Sequence, residues 1–169
     1  GSEESSDGND VRAVGERGLF RELARANIEQ FRRRGVRKVV TLSPHAFNTM
    51  LNDYPSLGGD FEVFHFTQLL QGLVANARLT LRPREARVTY HDPCYLGRWN
   101  GEYLAGRALL AAVPGLELVE MERARVDALC CGGGGGNAFT DLLGAGPASA
   151  ARVRVREALA SGAEILAVA

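Results

Sequence analysis

The sequence is poor in cysteine, histidine and tryptophan, and it contains no long apolar run. Its 169 residues include 3 cysteines, 3 histidines and 1 tryptophan. An odd number of cysteines, two of them adjacent, is a poor basis for a disulfide framework. No stretch approaches the roughly 18 apolar residues that indicate a membrane-spanning helix. Metal ligation, or reactive thiols in a reducing compartment, therefore fits these cysteines better than disulfides do.

Neither sign of charge is in excess. Lysine plus arginine and aspartate plus glutamate both number 20, which gives a formal net charge of +0 at pH 7. A neutral chain has no broad electrostatic attraction to nucleic acid or to anionic membranes, and we predict no nucleic-acid partner. We expect a location in the cytoplasm or at the cytoplasmic face of a membrane. Any membrane contact would be made through other parts of a longer parent protein.

Length and composition fit one compact domain. Hydrophobic residues make up 46% and charged residues 24% of the sequence, as in ordinary globular domains. Gly1 and Ser2 resemble the remnant of a cleaved tag, and the residues after them are mostly polar. We expect a disordered tag or leader at residues 1–10 and a folded domain at residues 11–169.

Helical periodicity alternates with short apolar runs along this domain. The apolar runs predict strands at residues 36–42, 61–66, 87–91, 116–121 and 164–169. The segments between them predict helices at residues 11–34, 44–53, 67–77, 101–113 and 138–161. The alternation predicts an α/β layered domain with a mostly parallel sheet and flanking helices, similar to a Rossmann fold.

One part of this pattern occurs twice. Gly35 separates a predicted helix from an apolar strand, and Gly162 does the same near the end of the sequence. The repeat suggests an internal duplication. Ser43 lies eight positions after Gly35, and the corresponding position after Gly162 is 170, one past the last residue.

The first cysteine directly follows a predicted strand. Cys94 lies in the segment HDPCYLGR at residues 91–98. A free cysteine is often a small buried apolar residue, but the Asp-Pro before Cys94 and the glycine after it favour a shaped loop. Functional residues gather at the carboxyl ends of strands in parallel sheets, which makes Cys94 a candidate site residue.

The other two cysteines precede five consecutive glycines. Cys94 and Cys130 are separated by 35 residues, and Cys131 is followed by glycine at residues 132–136. The run fits a flexible linker, a nucleotide-phosphate site without the P-loop lysine, or a loop whose N–H groups approach an anion. Thiolates bind zinc, copper(I) or iron–sulfur clusters, and the closely spaced ligand pairs of zinc sites are absent.

Taken together, these features resemble a known family. Cys94, the following 35 residues and the Cys-Cys-Gly at residues 130–132 resemble the CCG cysteine-rich domain of heterodisulfide reductases and of the iron–sulfur component of glycolate oxidase. Residues 91–98 resemble the family's segment around its single cysteine. Residues 42–49 (LSPHAFNT) resemble a segment in which relatives have Cys-Pro-His-Cys-Phe-Asn-Thr.

The resemblance implies an iron–sulfur cofactor. In that family a single cysteine, a Cys-Cys-Gly and a later Cys-x-x-Cys hold an unusual [4Fe–4S] cluster. The implied metal ligands are Cys94, Cys130 and Cys131, and the implied cofactor-binding set adds Gly132 and Gly133. Electron exchange with other redox subunits or domains, flavin-containing or ferredoxin-like, is also implied. No catalytic residue is identified.

Two positions depart from the family pattern. Ser43 and Ala46 stand where the first Cys-x-x-Cys is expected, and neither side chain replaces a thiolate as a cluster ligand. The second Cys-x-x-Cys would start near position 170, so we expect the domain to be truncated before it. His45 and His91 flank presumed ligand positions, and they fit either an ordinary structural role or hydrogen bonding around a cluster.

The sequence therefore predicts the iron–sulfur-binding electron-transfer domain of a heterodisulfide-reductase-like oxidoreductase. Its ligand set is incomplete, so we expect the cluster to be absent or partial and the fragment to be inactive alone. The alternative is a degenerate scaffold or interaction domain without redox activity, with zinc at the remaining thiols. Ser43 and Ala46 favour this alternative, and metal analysis separates the two.

Overall fold

Helices and strands alternate along the chain. The structure is a computed structural model that describes residues 5–134, 136–137, 144 and 146–169. The helices are α1 (Asn9–Ala13), α2 (Arg17–Arg33), α3 (Pro44–Asn52), α4 (Phe66–Ala75), α5 (Gly97–Asn100), α6 (Ala105–Ala111) and α7 (Ala150–Ala160). The strands are β1 (Lys38–Thr41), β2 (Glu62–His65), β3 (Ala86–Tyr90), β4 (Leu116–Leu118) and β5 (Ile165–Ala167). Short 3₁₀ helices lie at Tyr54–Leu57 and Arg125–Asp127.

The first half of the chain contains a two-stranded parallel sheet. β1 pairs with β2 so that Lys38 lies opposite Glu62 and Thr41 lies opposite His65. The chain leaves β1 and begins α3 at once, because the Ser43 hydroxyl accepts a hydrogen bond from the Ala46 N–H at 3.3 Å. A serine in this position caps the free N–H groups of a helix start. α3 therefore begins at the edge of the sheet where β1 and β2 both end.

The second half contains a three-stranded parallel sheet with β3 in its centre. β4 and β5 pair with β3 from opposite sides, and Val88 lies opposite both Leu118 and Ile165. The last residues of β3, Val88, Thr89 and Tyr90, are buried, as expected for a central parallel strand. The residues that follow β3 therefore start from the interior of the domain.

Two groups of apolar side chains form the core. One contains Phe20, Ala24, Ile28 and Tyr54, where α2 packs against the first 3₁₀ helix. The other contains Phe47 of α3, Val63 of β2 and Leu96, which follows Cys94 by two residues. Full burial of one such large side chain stabilises the fold by about 1.5–3 kcal/mol. The second group fixes α3 and the turn after β3 against each other.

The fold class predicted from the sequence is confirmed, with one difference in the sheet. All five predicted strands exist, and within the described ranges every strand pairing is parallel. The described strands form two sheets rather than one, because the halves join through the packing of α4 on α6 instead of through a shared ladder of hydrogen bonds. No helix in the described ranges is long and apolar enough to cross a membrane.

Helix boundaries differ from the predicted ones where glycine intervenes. The single helix predicted at residues 11–34 is divided into α1 and α2 at Gly15, whose φ is +96°. The helix predicted at residues 101–113 is shortened to α6. Of the helix predicted at residues 138–161, the structure describes α7, whereas positions 138–143 and 145 lie outside the described residues.

The first described residues contact the domain. The Ser6 carbonyl accepts a hydrogen bond from the Asn27 side chain at 2.9 Å, and the Asp7 carbonyl accepts one from the Tyr54 hydroxyl at 3.0 Å. Part of the segment expected as a leader therefore lies against α2. The expected tag remnant, within residues 1–4, lies outside the described residues.

The repeated sequence pattern has the same local conformation in both copies. Gly35 follows α2 with φ +65°, and Gly162 follows α7 with φ +71°. Left-handed φ values are the region that glycine occupies at helix ends. In each copy the strand begins three residues later. The end of β5 therefore corresponds to the end of β1, where Ser43 begins α3.

Two helical glycines should respond oppositely to alanine. A Cβ at Gly106 in α6 would lie 2.7 Å from both the Tyr90 Cζ atom and its hydroxyl oxygen. Gly106→Ala should therefore lower the free energy of unfolding by about 1–3 kcal/mol through overpacking. A Cβ at Gly72 in α4 meets nothing within 4 Å, so Gly72→Ala should raise the free energy of unfolding by about 0.5–1 kcal/mol. Urea denaturation of both variants measures the difference, and equal effects would contradict the packing around Tyr90.

Candidate functional site

Cys94 lies in a tight turn directly after β3. The Pro93 carbonyl oxygen accepts hydrogen bonds from the N–H groups of Leu96 at 3.1 Å and Gly97 at 2.9 Å. The turn continues into α5, and the Cys94 carbonyl oxygen accepts from the Trp99 N–H at 3.1 Å. These bonds fix the backbone around the half-buried Cys94 thiol.

A buried ion pair anchors the start of this turn. Arg107 donates to both carboxylate oxygens of Asp92, at 2.5 and 2.9 Å, and to Glu120 at 2.7 and 2.8 Å. Burial by itself would raise the pKa of Asp92, but the Arg107 hydrogen bonds and the Arg125 backbone N–H hold that pKa below its usual value. The carboxylate is therefore ionised at neutral pH, and it fixes the residue two positions before Cys94.

Arg98 connects the Cys94 turn to the segment that leads to the other cysteines. Its guanidinium donates to the carbonyl oxygens of Val126 at 3.2 Å and Ala128 at 2.7 Å. Ala128 is buried and lies two positions before Cys130. The contact therefore brings the adjacent cysteines toward the Cys94 turn.

The adjacent cysteines and the glycines after them form the cysteine–glycine loop, residues 130–134. Both of its cysteines are exposed. The Gly132 N–H donates to the Cys130 Sγ at 3.3 Å, and the Asn137 side chain donates to the Gly132 carbonyl oxygen at 2.8 Å. Gly132 has a φ of +79°, which favours glycine. The described part of the glycine run thus turns a backbone donor toward sulfur.

Cys94 lies close enough to Cys130 and Cys131 for their charges to affect its thiol. Burial raises the pKa of the Cys94 thiol, and the thiols of Cys130 and Cys131 raise it further. A nearby negative charge disfavours ionisation of a second thiol. Two segments that are 35 residues apart in the sequence are therefore neighbours in the structure.

The donors at this site are thiols, the ligands that zinc and iron–sulfur clusters share. Zinc–thiolate bonds of about 2.3 Å keep the sulfurs of one zinc site within about 4.6 Å of each other. Over the described ranges, no three His, Cys, Asp or Glu side chains are placed to hold one metal ion. A cluster distributes its thiolates over several iron atoms. The three neighbouring thiols, with the glycine backbone beside them, are therefore donors of the kind that bind an iron–sulfur cluster.

Ser43 and Ala46 have contacts that are purely structural. The Ser43 hydroxyl caps α3 through its hydrogen bond with the Ala46 N–H, and its own N–H donates to the Thr41 hydroxyl at 3.1 Å. Ala46 is buried. This turn contributes no thiolate, so it offers no soft ligand to iron.

His45 contacts both the Cys94 turn and the cysteine–glycine loop. Its ring centroid lies 4.6 Å from that of Tyr95, with an angle of 53° between the rings. Tyr95 in turn stacks on Trp99, with centroids 6.0 Å apart. A Cβ built on Gly134 would lie only 2.6 Å from the His45 Nε2. The imidazole therefore occupies the space next to Gly134.

His91 is buried and is bonded to an arginine. Its Nδ1 accepts a hydrogen bond from the Arg154 Nε at 3.0 Å, and its backbone N–H donates to the Ala167 carbonyl oxygen at 2.9 Å. Burial lowers the pKa of His91, and the Arg154 charge lowers it further, against a smaller opposite effect of Asp92. The imidazole is therefore neutral at neutral pH, with its proton on Nε2. Its hydrogen bonding toward a cluster stays a prediction.

Sequence reasoning missed the residues that hold these segments together. In the sequence, Asp92 only helps to indicate a loop, and no pattern marks Arg98 or Arg107 as its partners or as contacts of the site. Arg107 follows Asp92 by 15 positions, and nothing in local spacing distinguishes it from the other basic residues. Arg98 gave a weak signal, because it lies within the segment around Cys94 that resembles the family.

Comparison with known proteins gives one family and several relatives. A family described as CCG, cysteine-rich domain, matches residues 88–169. The probable iron–sulfur-binding oxidoreductase FadF of Bacillus subtilis (strain 168) is 46% identical over 137 residues, 80% of this chain and 19% of that protein. A probable membrane-anchored ferredoxin of Chromohalobacter salexigens is 45% identical over 150 residues, 85% of this chain and 22% of that protein.

A third relative is one component of a named enzyme. This component of the dihydromethanophenazine:CoB–CoM heterodisulfide reductase of Methanosarcina barkeri is 39% identical over 157 residues, 89% of this chain and 37% of that protein. No solved structure matches the chain. The chain spans between 19% and 37% of the length of these three relatives. Residues 88–169, which contain all three thiols, therefore match the CCG cysteine-rich domain family.

Proposed function

We propose that this chain is an iron–sulfur-binding electron-transfer domain of a heterodisulfide-reductase-like oxidoreductase. In this proposal Cys94, Cys130 and Cys131 ligate a cluster of the [4Fe–4S] type. The observation that carries it is the contact between the Cys94 turn and the segment before Cys130, where the Arg98 guanidinium donates to the Ala128 carbonyl oxygen at 2.7 Å. In agreement with that contact, the charges of Cys130 and Cys131 raise the pKa of the Cys94 thiol. The relatives support the same function, since their names describe an iron–sulfur-binding oxidoreductase and one component of a heterodisulfide reductase.

The residues around the thiols would serve such a cluster in distinct ways. A bound cluster accepts and releases single electrons, and hydrogen bonds to its sulfurs and its burial set the potential. The Gly132 N–H already donates to the Cys130 Sγ at 3.3 Å, and Gly133 lies beside it without a side chain. The half-buried Cys94 would limit the access of water. Glycine backbone and partial burial are therefore the means by which this chain would tune the potential.

The ligand set within the chain is proposed to be incomplete. Ser43 and Ala46 supply no thiolate, so the first half would hold no cluster of its own. Further thiolates are proposed to come from outside residues 1–169. In support, Ala169 packs against the core group that contains Leu96, and Leu96 lies two residues after Cys94. The chain alone should therefore hold a cluster only weakly.

The parent protein is proposed to exchange electrons with other redox subunits or domains. One relative is named as part of a larger reductase, and another is named a membrane-anchored ferredoxin. We infer flavin-containing or ferredoxin-like partners, and a location in the cytoplasm or at the cytoplasmic face of a membrane. Contact with the membrane would be made by parts of the parent outside residues 1–169.

Anaerobic reconstitution of the chain with iron and sulfide tests this function. We expect a broad visible absorption band and bound iron and sulfide in parallel. The iron per chain should stay below that of a full [4Fe–4S] cluster, and a chelator should remove it readily. A stable, full iron load would contradict the incomplete ligand set. Binding of zinc alone, or of no metal, would contradict the redox function and support the degenerate scaffold.

A further inference from the structure

Gly134 lies where any larger residue would collide with His45. A Cβ at this position would lie 2.6 Å from the His45 Nε2, 3.5 Å from Cε1 and 3.6 Å from Cδ2. Real Cβ atoms essentially never approach another heavy atom to less than 3.0 Å. The imidazole and the Gly134 backbone are therefore in direct contact, with no room for one more carbon.

Steric contact, and not backbone conformation, requires glycine at this position. Gly132 and Gly136 both have φ +79°, so their conformation alone favours glycine. Gly134 is not among the residues with positive φ, and its conformation would accept alanine. Contact with His45 is therefore the constraint that remains at Gly134.

The start of α3 places His45. It lies in the first turn of that helix, next to the Ser43 cap, and the neighbouring Phe47 is 4% exposed in the core. Its ring also contacts Tyr95, whose carbonyl oxygen accepts a hydrogen bond from the Asn100 side chain at 2.5 Å. A side chain that touches two loops limits the movement of one loop relative to the other.

We propose that His45 is a positioning residue that holds the cysteine–glycine loop against the Cys94 turn. In this way the half of the chain without thiols sets the distance between the thiols of the other half. The role for a cluster rests on the proposed function, whereas the positioning of the loop does not. No chemical step passes through the imidazole, which acts by its volume and its contacts with Tyr95 and Gly134.

A double-mutant cycle in the metal-free chain tests the positioning. All variants carry Cys130→Ser, so that dibromobimane, which fluoresces when it links two thiols, reports the approach of Cys94 to Cys131. Gly134→Ala should slow linking by about tenfold, because the methyl group displaces the loop from His45. His45→Ala should slow it by about threefold, because the loop loses its support. His45→Ala combined with Gly134→Ala should be faster than Gly134→Ala, since the methyl then fills vacated space.

Two further variants separate positioning from general disruption. A Cβ at Gly146 would meet nothing within 4 Å, so Gly146→Ala should leave the linking rate unchanged in the metal-free chain. His45→Gln restores most of the side-chain volume and should recover the linking rate lost in His45→Ala. Additive effects in the cycle, or an unchanged rate in both His45→Ala and Gly134→Ala, would overturn the proposal.

The reconstituted chain gives a second readout. If both proposals hold, His45→Ala should lose iron to a chelator severalfold faster than the unmodified chain, and the reduction potential of its cluster should shift. Suppose that the effects of His45→Ala and Gly134→Ala are coupled in the metal-free chain, and that no variant binds iron. This result would support the positioning and contradict the proposed function. Iron retention and a potential that are unchanged in His45→Ala, with an additive cycle, would contradict the positioning alone.

Discussion

Replacing Arg107 by methionine should lower the free energy of unfolding by about 3–5 kcal/mol at neutral pH. Asp92 and Arg107 are 3% and 6% exposed, and the two side chains share two hydrogen bonds. Methionine keeps most of the volume but leaves the Asp92 carboxylate buried without its cation. The effect is large because the buried Asp92 charge loses the Arg107 cation that compensates it. Urea denaturation followed by circular dichroism measures it.

The same variant should become relatively less unstable in acid. The pKa of Asp92 is lowered in the folded chain, so its ionised form contributes stability that is present above the unfolded pKa of about 3.9. That contribution is lost as the pH falls from there through the folded pKa. Without Arg107 the burial of Asp92 favours its protonated form, which acid supplies. The difference between the unmodified chain and Arg107→Met should therefore shrink below about pH 4.

An exposed arginine serves as the control for this prediction. Arg32 lies 3.6 Å from Glu29, and both side chains are more than half exposed. Such pairs contribute little because water screens them, so Arg32→Met should change the free energy of unfolding by less than about 1 kcal/mol. Equal effects of Arg107→Met and Arg32→Met would contradict the importance of the buried pair at the Cys94 turn.

Cys94→Ser should reduce the iron bound on reconstitution to background. Serine has nearly the same volume, and Cys94 is only half-buried, so the fold should persist while one of three thiolates is removed. A hydroxyl is a much poorer ligand for iron than a thiolate. Iron and sulfide analysis, together with the visible spectrum, measures the loss. Cys131→Ser should behave in the same way.

Ser43→Ala is the matched control, because Ser43 stands at a family ligand position without a thiol. Its hydroxyl caps α3, so the variant should be destabilised by about 0.5–2 kcal/mol. It should nevertheless bind as much iron as the unmodified chain. Loss of iron in Ser43→Ala, or its retention in Cys94→Ser, would contradict the assignment of the ligands to the second half.

The strands and the internal repeat were predictable because their signals are local. Short runs of five to seven residues predicted every described strand, since a buried parallel strand needs apolar side chains on both faces. The glycines at 35 and 162 were recognisable because a helix end in the left-handed region requires that residue. The division at Gly15 was not predicted, because an isolated glycine is tolerated inside a helical pattern.

The candidate site was predictable only in part. The spacing of Cys94, Cys130 and Cys131 and their resemblance to a family made these thiols the candidate ligands, and their ligation of a cluster stays a prediction. The partners of Asp92 were not recognisable, because a buried ion pair between residues 15 positions apart leaves no periodic signal. The contact of His45 with Gly134 was not predictable either. The two residues are far apart in the sequence, and the size of one side chain does not indicate the other as its neighbour.

The sequence by itself determined the fold class, the five strands and the identity of the three thiols, because these depend on residue type and short-range order. Tertiary structure decided how the thiols approach each other: through Arg107 and Arg98, which fix the Cys94 turn and the segment before Cys130, and through His45 beside Gly134. It also divided the strands into two sheets joined by helix packing. Such contacts depend on where distant segments meet, and only the packing of the whole chain sets those distances.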